Sequence, residues 1–224
     1  MVQQARAAAT RQQIVRGAAE MFEKSGFEGA RLGNIVENAG ITKGALYFHF
    51  RSKEDLARFI IGEQHRISIA SVEAIGREQV SAIEQIVMLC HEMARQIVND
   101  PIVRAGIRIT LELSADDQGP ADPYLDWINS CEMLATRAVE QGDLLPDIDP
   151  PRLARFVIGA FTGVQTVSQV LTQRTDLEQR VDDMWGGSCS PGIMPATRHQ
   201  DIARIRRARW TPDDATSARM RSPR

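Results

Sequence analysis

The chain of 224 residues has little cysteine, few aromatics and no long apolar run. Its three cysteines, Cys90, Cys131 and Cys189, are odd in number, far apart and in no CxxC pair. That spacing excludes a disulfide scaffold or a cysteine-rich zinc module and fits a reducing compartment. No stretch approaches the ~18 consecutive apolar residues of a membrane span, and residues 1–11 are polar with no apolar core of a secretory signal, so a cytoplasmic protein is expected. Strand signals are nearly absent, because no segment alternates apolar and polar over several β-branched or aromatic residues. The chemistry of catalysis is missing as well. His49, His65, His91 and His199 are scattered without an HxxxH or HxxEH pattern, so no metal site is expected. Cys90 and His91 are adjacent and would point in different directions on a helix, which argues against a nucleophile and its base. GxSxG, Walker and GxGxxG loops do not occur, so neither an enzyme nor a cofactor is expected.

Net charge is also nearly absent, at −2, and such a total looks unlike a nucleic-acid binder. The distribution is less even than the total. Residues 1–56 carry +2, residues 57–185 carry −9 and residues 186–224 carry +5. Different parts of the chain are therefore expected to face different partners.

What is present is helical periodicity, and the fold class expected is all-α. In residues 10–24, Ile14, Val15, Ala18, Met21 and Phe22 form one apolar face, closed by Gly26 as a helix-ending glycine. A short helix over 32–39 turns Ile35 and Val36 inward and stops at Gly40. Thr42 caps a third helix over 43–48, and a Ser52-Lys-Glu-Asp55 start opens a long helix to about residue 74. Further helices are expected over 81–99, 101–113, 124–141, 151–171 and 176–185. A polar loop falls at 114–123, a stiff connector at 142–151 and a break at 186–195 (GGSCSPGIMP). The amphipathic 81–99 segment carries Ile83, Ile86, Val87, Cys90, Met93, Ala94 and Ile97. The 151–171 segment is the most apolar, and is either deep core or a partner-facing surface. A short basic helix is expected over 198–210, and disorder beyond it.

Only Gly40-Ile41-Thr42 separates the second and third helices, and two short helices joined by a tight glycine turn are the helix-turn-helix arrangement. In that arrangement the second helix enters the major groove, where its first residues meet bases and phosphates. Thr42, Lys43, Tyr47 and His49 can donate to phosphate oxygens. Gly44 and Ala45 lack bulk, so the backbone can approach DNA closely. Leu46, Phe48 and Phe50 are expected to anchor inward. Lys53, at the start of the next helix, can clamp a further phosphate together with the free amides of that turn.

Residues 10–62, above all ITKGALYFHFRSKEDL at 41–56, resemble the DNA-binding domain of tetracycline-repressor-like (TetR) transcriptional regulators. The resemblance implies a homodimer with an N-terminal three-helix reader at 1–56. A helical ligand-binding and dimerisation domain would follow at 57–195, then a basic tail, partly disordered, at 196–224. Arg31 stands where that family places a capping Thr or Ser, and its guanidinium can reach a phosphate instead. A narrower resemblance covers roughly residues 6–185. The stretches DPIVRAGIRITLE at 100–112, PYLDW at 123–127 and GDLLPDIDP at 142–150 are similar to the γ-butyrolactone autoregulator receptors of actinomycetes.

That resemblance implies a transcriptional repressor of secondary metabolism, bound to an inverted-repeat operator in double-stranded DNA and released by a small diffusible signal. Trp127 is the leading wall of an effector pocket, because a rigid ring can cover a flat ligand. Gln64, Thr110, Thr162 and Gln165 are polar residues in apolar helical stretches and can anchor carbonyl or hydroxyl groups. A pseudo-receptor of the same fold, answering an antibiotic or a biosynthetic intermediate, fits the same residues. A ligand carrier or enzyme with an incidental helix-turn-helix is the remaining alternative. Arg204, Arg206, Arg207 and Arg209 in the tail are either a further nucleic-acid contact or a solvated end.

Overall fold

A computed structural model of the chain describes residues 2–113, 122–189 and 192–212. Of the loop expected at 114–123, residues 114–121 lie outside the described residues and 122–123 open a helix; the tail from residue 213, with the disorder expected there, also lies outside them. All regular structure among the described residues is helical: α1 (Val2–Gly29), α2 (Leu32–Asn38), α3 (Lys43–His49), α4 (Lys53–Ile75), α5 (Ala82–Asn99), α6 (Pro101–Leu113), α7 (Asp122–Glu140), α8 (Pro150–Thr172), α9 (Leu177–Asp183) and α10 (Ile202–Ile205). A π-helical turn follows α9 at Met184–Cys189, and a 3-10 turn precedes α10 at Ala196–Asp201. None of these helices is long and apolar enough to cross a membrane.

The chain divides into two compact units. One runs to Ile67 and takes in the segment from Asn99, which contains α6; the other holds Ser68–Val98 and the described residues from 122 onward. A boundary at residue 56 would cut α4 three residues after its start, and α6 was expected in the second domain. It joins the first unit because its Ala105 and Ile109, both fully buried, pack into the same core as Ile14, Ala18 and Phe22 of α1, Ile35 of α2 and Leu46 of α3. Ionic contacts reinforce that seam. Arg104 Nε donates to Glu23 Oε1 at 2.7 Å, and the Glu112 carboxylate accepts from the Phe27 amide and from Arg108.

Within this unit the local punctuation follows the residues. Gly26 interrupts α1 with φ +71°, a left-handed conformation that glycine adopts without steric cost, and the chain winds on to Gly29. Gly40 makes the turn after α2 with φ +62°, its amide donating to Glu37 O while the Ile41 amide reaches Val36 O. Thr42 caps α3, its hydroxyl accepting from the Ala45 amide at 3.1 Å. Leu46 and Phe50 point inward, at 0% and 2% exposure, but Phe48 does not: it is 79% exposed. A seven-residue helix has one buried side, and Leu46 and Phe50 already fill it, while Phe48 lies ~200° round the helix from Leu46.

In the second unit α5 is enclosed on nearly all sides. Its sequence is amphipathic, yet Glu84, Gln85, His91, Glu92 and Gln96 are buried along with its apolar residues. Gln96 Nε2 donates to Ser71 Oγ and to Glu92 Oε1, both at 2.7 Å, and Gln85 Nε2 donates to Glu78 O. The C-terminal segment covers the rest of that polar side. The Arg204 guanidinium pairs with Glu84, and the Arg206 carbonyl oxygen lies 3.2 Å from His91 Nε2. Met194 and Ile205 are buried at 3% exposure each. The basic helix expected over 198–210 shortens to a 3-10 turn and the single α-turn of α10. The winding expected to break at Gly186 continues as the π-helical turn.

α7 packs along α8, and α8 settles the alternative left open by its composition. Leu153, Ala154 and Val157 face the core, whereas Phe156, Val167, Val170 and Leu171 are exposed by 53, 44, 75 and 67%. An open groove of about 500 Å³ lies between this face and α9, lined by Phe156, Val164, Val167, Arg180 and Met184. The turn between the two helices is pinned by Asp176, whose Oδ1 accepts from Ser168 Oγ and Thr172 Oγ1 at 2.6 Å each. Those hydroxyl donors hold its carboxyl down at about 2.

Candidate functional site

α3 presents one clear outer face. At about 100° per residue, Lys43 stacks with Tyr47 and Gly44 with Phe48, each pair one turn apart. All four are exposed, and Lys43 makes no ion pair among the described residues. Thr42 is exposed at the N-cap. Ala45 and His49 are half-buried at the edge of the face, with the His49 ring edge-on to Phe48 at 5.1 Å between centroids. Thr42, Lys43, Gly44 and Tyr47 are thus brought to one surface, with Ala45 and His49 beside it. A Cβ added at Gly44 would meet only Thr42 Oγ1, at 3.9 Å, so nothing inside the protein requires a glycine there.

Arg31 is exposed and is the N-cap of α2. It makes no side-chain hydrogen bond to the helix, so this helix does lack the cap that a Thr or Ser would supply. Lys53 differs from its expected arrangement. Its Nζ donates to Phe27 O at 2.9 Å and stands 4.3 Å from the centre of the Phe27 ring. At the same helix start one amide is already used by a neighbouring hydroxyl, and an amide of the chain before it by a carboxylate. The Asp55 amide donates to Ser52 Oγ, and the Arg51 amide donates to Asp55 Oδ2. Glu54 is held below the usual carboxylate range, chiefly by the Ser52 hydroxyl. Two ammonium protons of Lys53 remain for other acceptors.

Three of the five residues expected at an effector pocket lie on α7 and α8 of the second unit. Trp127 is half-buried, and its indole N–H is enclosed without a hydrogen-bond partner. An enclosed donor of this kind is uncommon in a folded protein and marks a place where an acceptor belongs. Tyr124 packs edge-on against Trp127 at 4.9 Å, and its hydroxyl bonds to the Thr162 side chain, while burial pushes the phenol above its ordinary pKa. Thr162 Oγ1 also donates to Ile158 O at 2.8 Å. Gln165, three residues further along α8, is buried and donates to Thr166 Oγ1 at 3.1 Å. Gln64 and Thr110 are at 0% and 1% exposure in the first unit. There Gly106 of α6 allows close approach to Gln64, whose Cβ lies 2.5 Å from where a Cβ on residue 106 would stand.

Tyr124 is the residue the sequence reasoning passed over. Its signal was available as the i, i+3 spacing of Tyr124 and Trp127 in PYLDW. Cys131, also on α7, is an inert neighbour, since burial pushes its thiol up to about 12. Among the described residues no three His, Cys, Asp or Glu side chains gather as metal ligands.

The likeness to known proteins covers both units. Residues 14–59 match the family of bacterial regulatory proteins of the tetR type, and residues 80–189 match the tetracyclin repressor-like C-terminal domain. The chain is 33% identical over 224 residues to the A-factor receptor protein of Streptomyces griseus, spanning 100% of this chain and 76% of that one. A crystal structure of an ArpA-like γ-butyrolactone receptor superimposes with a TM-score of 0.78 at 32% identity, over 90% of this chain and 96% of that one. CprB from Streptomyces coelicolor, solved in complex with its biological operator sequence, superimposes with a TM-score of 0.79 at 32% identity, over 90% and 98% of the two chains. With a helix-turn-helix reader whose outer face is free, and relatives alike over the full chain, this protein belongs to the tetR family of bacterial regulatory proteins.

Proposed function

We propose that the protein is a homodimeric DNA-binding repressor, released from its operator by a small diffusible signal of the γ-butyrolactone type, in the control of secondary metabolism. The observation that carries this reading is the outer face of α3, where Lys43, Gly44 and Tyr47 stand exposed together and Thr42, whose hydroxyl oxygen caps the helix, keeps its proton for an outside acceptor. Thr42 and Tyr47 hydroxyls and the Lys43 ammonium serve phosphates and base edges. Gly44 keeps the backbone close, Ala45 and His49 border the contact, and Arg31 and Lys53 supply flanking phosphate contacts. The exposed face of α8 supports the dimer, since Phe156, Val167, Val170 and Leu171 form a patch that a second copy would cover through the same surface. Two readers would then address successive major grooves, ~34–36 Å or a multiple apart, on an inverted repeat.

The effector site of this reading is the cluster around Trp127. A lactone offers a carbonyl oxygen, which the enclosed indole N–H can satisfy, and flat apolar edges, which the Tyr124 and Trp127 rings can cover. Thr162 and Gln165 supply further polar atoms beside it. Gln64 and Thr110 are the weaker members of the set, each buried in the packing of the first unit. The ligand acts only through a difference in affinity between the DNA-bound conformation and another, so release requires that the lactone bind the second better.

The test is a gel shift with a duplex that the protein itself selects from random-sequence DNA, titrated with a synthetic γ-butyrolactone. Loss of the complex is expected for the natural chain. Trp127→Ala should hold the same duplex with unchanged affinity and fail to release it. Absence of binding to any selected duplex at low salt would sink the reading. DNA binding that no lactone reverses would remove the signal and leave the repressor.

A further inference from the structure

Phe48 is the most exposed large hydrophobic side chain among the described residues, at 79%. Two helical positions away Leu46 is fully buried, so the ring is not a frayed part of the core but sits on the opposite, outward side of α3. Resting on the DNA-binding reading above, we infer that Phe48 reads sequence by packing its ring against the 5-methyl group of a thymine in the major groove.

Chemistry narrows the choice. A phenyl ring has no donor or acceptor, so it cannot recognise guanine N7 and O6, adenine N6 or cytosine N4. The thymine methyl is the one apolar feature that base pairs display in that groove. Position supports it. Helical side chains lean toward the helix N-terminus, so the Phe48 ring leans over Gly44, one turn earlier. Gly44 leaves open space at that point, and the nearest protein atom to a Cβ there would be Thr42 Oγ1 at 3.9 Å. A glycine inside a short helix is unfavourable and the protein interior does not ask for it, so the space serves what approaches from outside. The ring is also oriented: His49 meets it edge-on, at 88° between planes. Lys43 and Tyr47 flank it on the same face and provide the polar contacts a phenyl cannot.

The test uses the full chain and the self-selected duplex of the previous section, with deoxyuridine replacing thymidine one symmetric pair of positions at a time. Deoxyuridine keeps every hydrogen-bonding group and deletes only the methyl. Burial of one methyl corresponds to about fourfold in affinity, and two half-sites to about fifteenfold. At one symmetric pair, the natural chain is expected to lose about that factor. Phe48→Ala is expected to lose a similar factor on the thymine duplex and to bind the thymine and uracil duplexes equally. Because Phe48 is exposed, the variant should melt at the same temperature as the natural chain. If Phe48→Ala still distinguishes thymine from uracil at that pair, or the natural chain distinguishes them nowhere, the inference is overturned and the DNA-binding reading stands. If selection enriches no sequence, both fall together.

Discussion

The reader helix and the C-terminal segment invite comparison because the sequence makes the second the more basic. Residues 186–224 carry +5 and residues 1–56 only +2. The structure gives their basic residues different surroundings. Arg198 pairs with Asp143 at 2.8 Å, Arg204 with Glu84, and Arg209 with Asp182 at 3.0 Å. The Trp210 indole donates to Glu78. These guanidinium groups pair with carboxylates of the second unit, and the segment covers part of the polar side of α5. Lys43 and Arg31, by contrast, stand exposed and unpaired among the described residues. Binding to a polyanion depends on cations that can exchange counterions for phosphates. Three arginines of the C-terminal segment are thus held by carboxylates, whereas Arg207 is exposed and makes no ion pair among the described residues, so a total of charges says little until the partners of each are known.

The largest effect expected is from removing residues 196–224. The deletion strips Ile205 from its site and leaves the Asp143 and Glu84 carboxylates, at 3% and 8% side-chain exposure, without their arginines. The pairs are open to solvent on the arginine side, so their loss costs less than that of fully buried pairs, and with the lost packing of Ile205 thermal unfolding should begin about 5 °C lower. Operator affinity of the folded protein at low salt should be unchanged. The opposite pattern, an intact melting temperature with lost affinity, would make the segment a DNA contact and break the comparison.

Acid should loosen the same region. Burial, helped by Arg209, lowers His91 from its ordinary 6.5 to about 4, so the native state holds it neutral. An unfolded chain takes up the proton at about 6.5, and stability therefore falls as pH drops from about 6.5 to 4. Denaturant midpoints of the natural chain and of His91→Gln across this window check the point, and equal slopes would remove His91 as the cause.

On the reader the effects are smaller and fall on affinity. Lys43→Ala should weaken operator binding about tenfold and reduce the salt dependence by about one counterion per protomer, with no change in melting temperature. Arg31→Thr gives the smallest change and the most specific sign. The capping hydroxyl should add about 1 kcal/mol of stability, while the slope of affinity against salt flattens. An unchanged slope would show that Arg31 meets no phosphate.

Much of the fold was legible because its cues are local. Residues 101–113 were expected as a helix, and α6 has those bounds, since Pro101 starts it and the 3.6-residue apolar pattern runs through it. Thr42 was expected to cap α3 and does, because a cap needs only the three residues that follow. Phe48 was read as an anchor because aromatic residues at helical spacing usually are buried, and only the finite width of the core sends it outward. α5 was read as half exposed because its polar positions follow a helical period. That period does not say that Ser71 from one side and the C-terminal segment from another will cover them. Trp127 was named from resemblance and composition, but the partnerless indole N–H on which its proposed role rests depends on which atoms the fold brings near.

The helices, their caps and turns, and the pattern at 41–56 that marks the reader are written in the residues themselves, because they rest on interactions within about one helical turn. Tertiary structure alone decided which charges are neutralised, which apolar face of α8 remains open, and which aromatic points out of α3. Those outcomes depend on contacts between residues as far apart as Glu84 and Arg204, whose meeting no local period encodes.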